Sequence, residues 1–201
     1  MKRLNAVLTL SALTALVGMS VGCGPSWVYI KQANPNPLVG QKAFAIEPVS
    51  YEGMKIGNPG AITEQEWIQK KKPEEQPKFL EDLKNSKECF NARFIEFTTS
   101  RASKSGVSVT PAAGQGGTWT LKPQVIEFEG GFNAFVMTSP AVVRLHIKVV
   151  DPQGQEVDVI ELRGSADAGS FGAMVTRLGM LGEQFGNRMG EYLNTRTAAA
   201  K

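Results

Sequence analysis

Apolar positions along the chain recur with two different periods, and each period predicts a different element. Phe79, Leu83, Ser86, Phe90, Phe94 and Phe97 return every three or four residues, which predicts a long helix over Lys78–Ser103 with Gly106 as its stop. Met174, Leu178, Leu181, Phe185, Met189 and Tyr192 repeat the pattern and predict a second helix from about Ala173 to Thr195. Between them Val143, Leu145, Ile147 and Val149 alternate with Arg144, His146 and Lys148, as a strand with one buried and one wet face requires. The run Asp151-Pro152-Gln153-Gly154-Gln155 supplies reversal chemistry, so Ala141–Val150 and Val157–Gly164 form a predicted hairpin. On the returning strand Ile160 and Leu162 face one side, Val159 and Glu161 the other.

Shorter signals complete the outline. Phe44 and Ile46 alternate within Lys42–Pro48, a predicted first strand ended by proline. Thr63-Glu64-Gln65-Glu66 has capping-box spacing and opens a brief helix carrying Trp67 and Ile68, which Pro73 ends. Val107–Thr110 and Trp119–Phe128 are further strands, and Pro123 inside the second predicts an edge position or a bulge. The expected architecture is α+β: one mixed or antiparallel sheet of about four to five strands against two long amphipathic helices, in β-α-β-β-β-β-α order. Its expected limits are residues 42–197, with 198–201 as a disordered tail.

The second helix carries Gly179, Gly182, Gly186 and Gly190. Interior glycines cost about 0.5 to 1 kcal/mol each relative to alanine, so another backbone must approach closely along that face to offset them. Two readings remain open: packing on the chain's own sheet or Phe-rich helix, or an interaction face for a partner or a second copy.

The amino-terminal residues carry an address. Lys2 and Arg3 precede the apolar stretch Ala6–Val17, and Ser20-Val21-Gly22 stand before Cys23. This predicts a secretory signal over 1–22 ending at a lipidated Cys23, although Ser20 stands where the lipobox usually has leucine. Ordinary cleavage to a soluble secreted protein is the alternative, and a spanning helix of roughly 20 apolar residues is the weaker reading. Residues 23–41, with Pro25, Pro35, Pro37, Asn34 and Asn36, read as a tether to the membrane. Within them Trp27, Val28, Tyr29 and Ile30 form an apolar knot that suits either the bilayer surface or the domain.

Removing Lys2 and Arg3 lowers the formal net charge from +3 to +1, so the mature chain has no electrostatic footprint for nucleic acid. With Cys23 lipidated, Cys89 is left without a disulfide partner and reads as a buried thiol, with a reactive thiol or intermolecular bridge as the alternative. The single histidine, His146, sits between cations on a wet face. No metal-ligand spacing, nucleophile elbow or phosphate loop occurs; Ser170 lacks the elbow spacing, and the Gly114, Gly116 and Gly117 cluster lacks the loop's context. Glu127 and Glu129 are the nearest candidates for paired carboxylates. The residues therefore predict no enzyme, no cofactor and no metal.

Three stretches carry a resemblance: Lys42-Ala43-Phe44-Ala45-Ile46-Glu47-Pro48, Val142 to Asp151 with Gly154, and Leu181-Gly182-Glu183-Gln184-Phe185-Gly186 running to Tyr192-Leu193. The chain resembles small bacterial envelope lipoproteins of unassigned role whose domain is similar to the amino-terminal domain of TolB and to CsgG. The segment from Tyr51 to Pro77 departs from that pattern. The resemblance implies structural, assembly or accessory work in an envelope complex, with lipid on Cys23 as the membrane partner and an unknown envelope protein, or a second copy, as the protein partner. The neutral Gly24 implies the outer membrane, facing the periplasm. The competing expectation is a periplasmic module for a lipid or small ligand, bound between the helices and the sheet, with Met137, Met174, Met180 and Met189 as lining.

Overall fold

The computed structural model describes residues 27–57, 62–112, 117–134, 137–167 and 173–199. The elements in chain order are β1 (Val28–Lys31), β2 (Ala43–Ile46), β3 (Lys55–Ile56), β4 (Ile62–Thr63), α1 (Glu64–Gln69), α2 (Gln76–Ser103), β5 (Ser108–Pro111), β6 (Thr120–Glu129), β7 (Phe132–Ala134), β8 (Met137–Ser139), β9 (Ala141–Val150), β10 (Glu156–Ala166) and α3 (Met174–Thr197). The main sheet has eight strands with the path β1-β10-β9-β6-β2-β5, while β3 joins β6 and carries β4; β7 and β8 form a separate ribbon.

The class is α+β with a mixed sheet, but the sheet is larger than the expected four to five strands. Strands β3 and β4 are two residues long, too short for alternation to register, and β1 lies in the proline-rich segment read as a tether. That segment is part of the domain from Trp27 onward. β1 pairs antiparallel with β10, Tyr29 opposite Ile160, while Trp27 and Leu38 are buried. Of the two fates open to the apolar knot, Trp27 and Tyr29 take the domain. Their rings lie 5.6 and 6.2 Å from that of Tyr192.

Chain connectivity sets the sheet's mixed character. Helix α2 is the crossover between the parallel neighbours β2 and β5, as parallel strands require. The β9–β10 hairpin is antiparallel with Ile147 opposite Ile160, and Asp151 Oδ1 accepts from the amides of Gln153 and Gln155 at its turn. Strand β6 lies inside the sheet between β9 and β2, which corrects the expected edge position. Pro123 is tolerated because the neighbouring chain slips register at Pro48 and Val49: Glu47 N donates to Leu121 O and Ser50 N to Pro123 O, so an extra residue lies opposite the position that lacks an N–H. A bulge does occur in β6, two residues on, between Val125 and Glu127.

Both long helices cover one face of this sheet. Val143, Leu145, Ile147, Val149, Ile160 and Leu162 are buried beneath them, together with Phe90, Phe94, Leu181, Phe185 and Met189. Ser86 and Thr98, polar positions on the buried stripe of α2, donate to the carbonyls of Asp82 and Phe94 one turn back. Helices α2 and α3 run in the same direction, because successive glycines of α3 meet successive turns of α2. A Cβ on Gly182 would stand 2.5 Å from the Phe90 carbonyl oxygen, one on Gly186 2.6 Å from that of Phe94, and one on Gly190 2.5 Å from Arg101 Cβ. Gly164 in β10 makes similar room for Phe185, whose Cε1 would be 2.6 Å away from a Cβ there.

This contact predicts the sign of an alanine substitution. In an exposed helix Gly→Ala stabilises, but Gly186→Ala drives a methyl into the α2 backbone and is expected to destabilise by about 1 to 3 kcal/mol. Urea unfolding beside Asn187→Ala, which removes a side chain from a half-exposed neighbouring position, measures it; a stabilised Gly186→Ala would contradict the close approach.

Candidate functional site

Three of the four glycines singled out from the sequence are filled from within. Gly182, Gly186 and Gly190 are buried against α2, so the groove they make is occupied by the chain's own helix rather than left open to a partner. Gly179 is half-buried, and a Cβ there would meet Cys89 Sγ at 3.0 Å. Cys89 is a free cysteine, half-buried rather than enclosed. Cys23, the expected lipidation site, lies outside the described residues, as do Ser170, Gly114 and Gly116.

The polar face of the sheet neutralises itself. His146 Nε2 lies 2.9 Å from Glu161, and Arg144 reaches Glu127 at 3.4 Å and Glu161 at 3.8 Å. Glu127, one of the two carboxylates singled out as a candidate pair, is engaged by a cation. Lys148 reaches Glu156 at 3.4 Å and Lys122 reaches Glu47 at 3.0 Å. Among the described residues no group of three or more His, Cys, Asp or Glu side chains is disposed to hold a metal ion, and no helix is long and apolar enough to cross a membrane.

A buried polar cluster was missed from the sequence. Asp158 is fully buried; its Oδ2 accepts from Tyr192 Oη at 2.5 Å and Arg196 Nε at 2.9 Å, its Oδ1 from Arg196 Nη2 at 3.1 Å and the Ala33 amide at 2.8 Å. The signal was present: alternation puts Asp158 on the same face as Ile160 and Leu162, and Tyr192 and Arg196 are four apart on one helix face. Burial, and then the hydrogen bond to Asp158, raise the Tyr192 phenol above its ordinary value. Burial works against the Arg196 charge, but the bonds and charge of Asp158 outweigh it and its pKa lies above the usual arginine value. Every oxygen of Asp158 is used within the fold, so the cluster has the perturbed groups of an active site without a place for substrate. It fastens the amino-terminal segment, since Arg196 Nη2 also donates to the Ala33 carbonyl at 3.3 Å and Asn36 Nδ2 to the Arg196 carbonyl at 2.7 Å.

The site with space is a groove beside α2. Segment 47–52 leaves β2 and is held along β6: the Ser50 amide donates to Pro123 O at 2.9 Å, Val125 N to Ser50 O at 2.8 Å, and Val49 N to Asn91 Oδ1 at 2.9 Å. The strap leaves a cavity of about 590 Å³ against the outer side of α2. Pro48, Val49, Leu80 and Leu83 give it apolar walls, and Glu64, Glu81, Lys84, Lys87 and Glu88 a rim of both signs. Lys87 Nζ lies 2.5 Å from Glu64 Oε2 and 4.9 Å from the centre of the Tyr51 ring, whose hydroxyl donates to Lys87 O at 3.2 Å. Burial, with the Glu64 charge behind it, holds the Tyr51 phenol above its ordinary value. Such a groove can take an extended apolar segment with flanking charges; a neutral, buried phenol is a poor base. Leu80, 45% exposed, is its most accessible large apolar side chain.

Between the helices and the sheet, a void bounded by Met54, Phe90, Val125, Phe128, Val143 and Leu178 is about 10 Å³, at the limit for one water. Of the methionines expected to line a pocket there, Met189 is buried in the core, Met180 is 41% exposed, and Met174 packs beside Gly130 and lines a cavity of about 300 Å³ with Trp67, Phe79 and Ser86, while the side chain of Met137 lies outside the described residues.

No protein-family model and no curated protein matches the chain. Among solved structures it is similar to a PelC dodecamer from Paraburkholderia phytofirmans (11% identity, 76% of this chain and 91% of that one, TM-score 0.39). It is also similar to an uncharacterized protein (13% identity, 79% and 95%, TM-score 0.43) and to a Xanthomonas campestris protein of the DUF330 family (9% identity, 85% and 94%, TM-score 0.40). The similar structures include PelC and DUF330 proteins rather than TolB-like or CsgG-like domains.

Two measurements follow from the buried cluster. Asp158→Asn leaves Arg196 without its counter-charge and is expected to destabilise by about 3 to 5 kcal/mol, and Tyr192→Phe by about 1.5 to 3 kcal/mol, by denaturant unfolding. Because Tyr51 and Tyr192 are raised above the ordinary tyrosine value of 10.0, their contribution is fully present below pH 10 and is lost as pH rises through the folded values. Stability should therefore fall above pH 10, less steeply in Tyr192→Phe, and absorbance titration should show both phenols ionising only as the protein unfolds.

Proposed function

We propose that this chain is a lipid-anchored accessory domain of a bacterial envelope complex that works by binding a protein partner rather than by catalysis. The observation that carries the reading is the groove beside α2, with apolar walls and charges of both signs at its rim. An extended segment of an envelope protein matches that chemistry, because apolar side chains supply burial and flanking charges supply register. The absence of enzymatic work is supported by the state of the perturbed groups. Tyr51 and Tyr192 are held protonated, and the carboxylate of Asp158 is saturated by donors of the fold.

The anchor in this reading is Cys23 at the end of the signal-like leader, and the expected location is the outer membrane facing the periplasm, with Gly24 after the cysteine. A module for a lipid or small ligand is the weaker reading: beneath Phe90 and Leu178 the space between helices and sheet is only about 10 Å³.

Photo-crosslinking in intact envelopes tests the proposal. A crosslinking residue in place of Leu80 should capture a reproducible envelope protein, and Leu80→Glu should weaken capture of that protein by an epitope-tagged chain about tenfold or more, with an unchanged melting temperature. Capture that persists undiminished in Leu80→Glu would rule out the groove as the partner site. Cys23→Ala should move the protein from the membrane fraction to the soluble one.

A further inference from the structure

The exposed apolar side chains converge on the segment nearest the proposed anchor. Val28 is 65% and Ile30 53% exposed, the two most exposed large apolar residues among those described, and Val39 on the same segment is 45% exposed. Val28 stands opposite Glu161 and Tyr29 opposite Ile160, so Val28 points away from the helices on which Tyr29 packs; the register shifts between Tyr29 and Lys31, and Ile30 is exposed at that irregularity. β1 is also the end of the strand path among the described residues. It is short and irregular, which blunts edge pairing, and what it leaves in water is the apolar surface of Val28 and Ile30.

Covalent geometry decides what covers it. Four residues lie between Cys23 and Val28, and a fully extended chain spans about 3.3 to 3.6 Å per residue, so over five such steps Val28 lies within roughly 18 Å of the Cys23 backbone. Helix α2 alone, with 28 residues, is about 42 Å long. A domain on so short a leash cannot hang clear of the surface to which Cys23 is fixed. The pairing of β1 with β10 sets the approach: from Lys31 back to Val28 the strand runs toward the end of β10 that carries Arg163. Arg163 is exposed there, and Arg188 Nη1 donates to its carbonyl at 2.7 Å, placing two guanidinium groups beside the path to Cys23. On the same sheet face Glu161 is taken up by His146 and Arg144.

We propose that the β1 edge, with Val28 and Ile30 as its apolar contacts and Arg163 and Arg188 as its cationic flank, docks directly on an anionic lipid surface and holds the domain against the membrane. The inference rests on lipidation of Cys23. Aliphatic side chains enter the boundary between headgroups and acyl chains, and arginines pair with headgroup phosphates.

The test uses full-length protein purified from envelopes, in a Cys89→Ser background, with a nitroxide at Ile30→Cys or, as reference, at Leu80→Cys. Each is reconstituted in vesicles of phosphatidylethanolamine and phosphatidylglycerol, and mass spectrometry of the same samples reads the mature amino terminus. With Cys23 acylated, the Ile30 label should be relaxed more by lipid-soluble oxygen than by a water-soluble nickel complex, and the order should reverse at Leu80. An acylated protein whose Ile30 label is as water-accessible as the Leu80 label overturns docking and leaves the lipoprotein reading intact. Dipolar coupling between Ile30 labels, without oxygen preference, would assign the edge to a second copy and also overturn it. An unmodified terminus overturns the anchor and the docking together.

Discussion

One carboxylate decides whether the two ends of this chain belong to the same body. Asp158 has no exposure, and a charge so placed is tolerated only where donors replace its water. Here the donors are a two-pronged arginine and a phenol from the last turns of α3 and an amide from the segment after β1. Segment 32–41 has no ladder of its own, while the end of α3 is held to α2 by Arg101, which pairs with Glu191 and accepts at its carbonyl from Asn194 Nδ2. The ion pair converts a composition that would suit a tether into a packed strap. Gly40 then donates to Thr197 O at 2.9 Å, closing the strap on the helix terminus.

The second constraint is the distance between α2 and α3. Phenylalanines fill the space between these helices and the sheet, with Phe90 stacked on Phe94 at 6.3 Å and set edge-on to Phe185 at 6.0 Å. Rings of that size would splay the helices apart if both presented side chains to each other. Glycine on α3 lets its backbone touch that of α2, and glycine in β10 lets Phe185 sink toward the sheet. The loss of helix propensity is thus the cost of a thin helix layer, in which large side chains point to the sheet.

What was legible in the sequence divides along physical lines. Long elements announced themselves because periodicity accumulates: α2 and α3 differ from expectation by at most two residues at either end, and the capping box of Thr63 and Glu66 forms with both of its hydrogen bonds. The β9–β10 hairpin was equally clear, from alternation and turn chemistry. The two-residue strands were silent, and β1 was masked by neighbouring prolines and asparagines whose conformations suit loops and straps alike. Pro123 misled because a proline bars a strand from the interior only where a neighbour offers a regular ladder on its N side, and here the neighbouring chain carries an extra residue between Glu47 and Ser50. The glycine stripe was seen, but which partner fills it depends on the crossover of α2, a tertiary fact. Asp158 was readable in principle, as a charge on a buried face, yet Tyr192 and Arg196 lie more than thirty residues further along the chain. The groove had no local signature, because strap 47–52 is shaped by bonds to β6 and to Asn91.

The arrangement of the sheet relates the proposed surfaces to each other. β1 stands at one end of the path β1-β10-β9-β6-β2-β5, and the groove opens where the chain leaves β2. Four strand spacings of about 4.8 Å separate them, roughly 19 Å across the sheet. An anchor beside β1 therefore holds the near edge of the domain at the bilayer and leaves the groove on the far side, open to a partner in the aqueous space. A long flexible tether would not give that orientation, since the domain would sample all attitudes and its groove would spend part of its time against the lipid. Folding the Trp27–Gln41 segment onto Tyr192, Asp158 and Arg196 removes this freedom. In this reading the buried ion pair does more than stabilise: it sets which face of the domain looks away from the membrane.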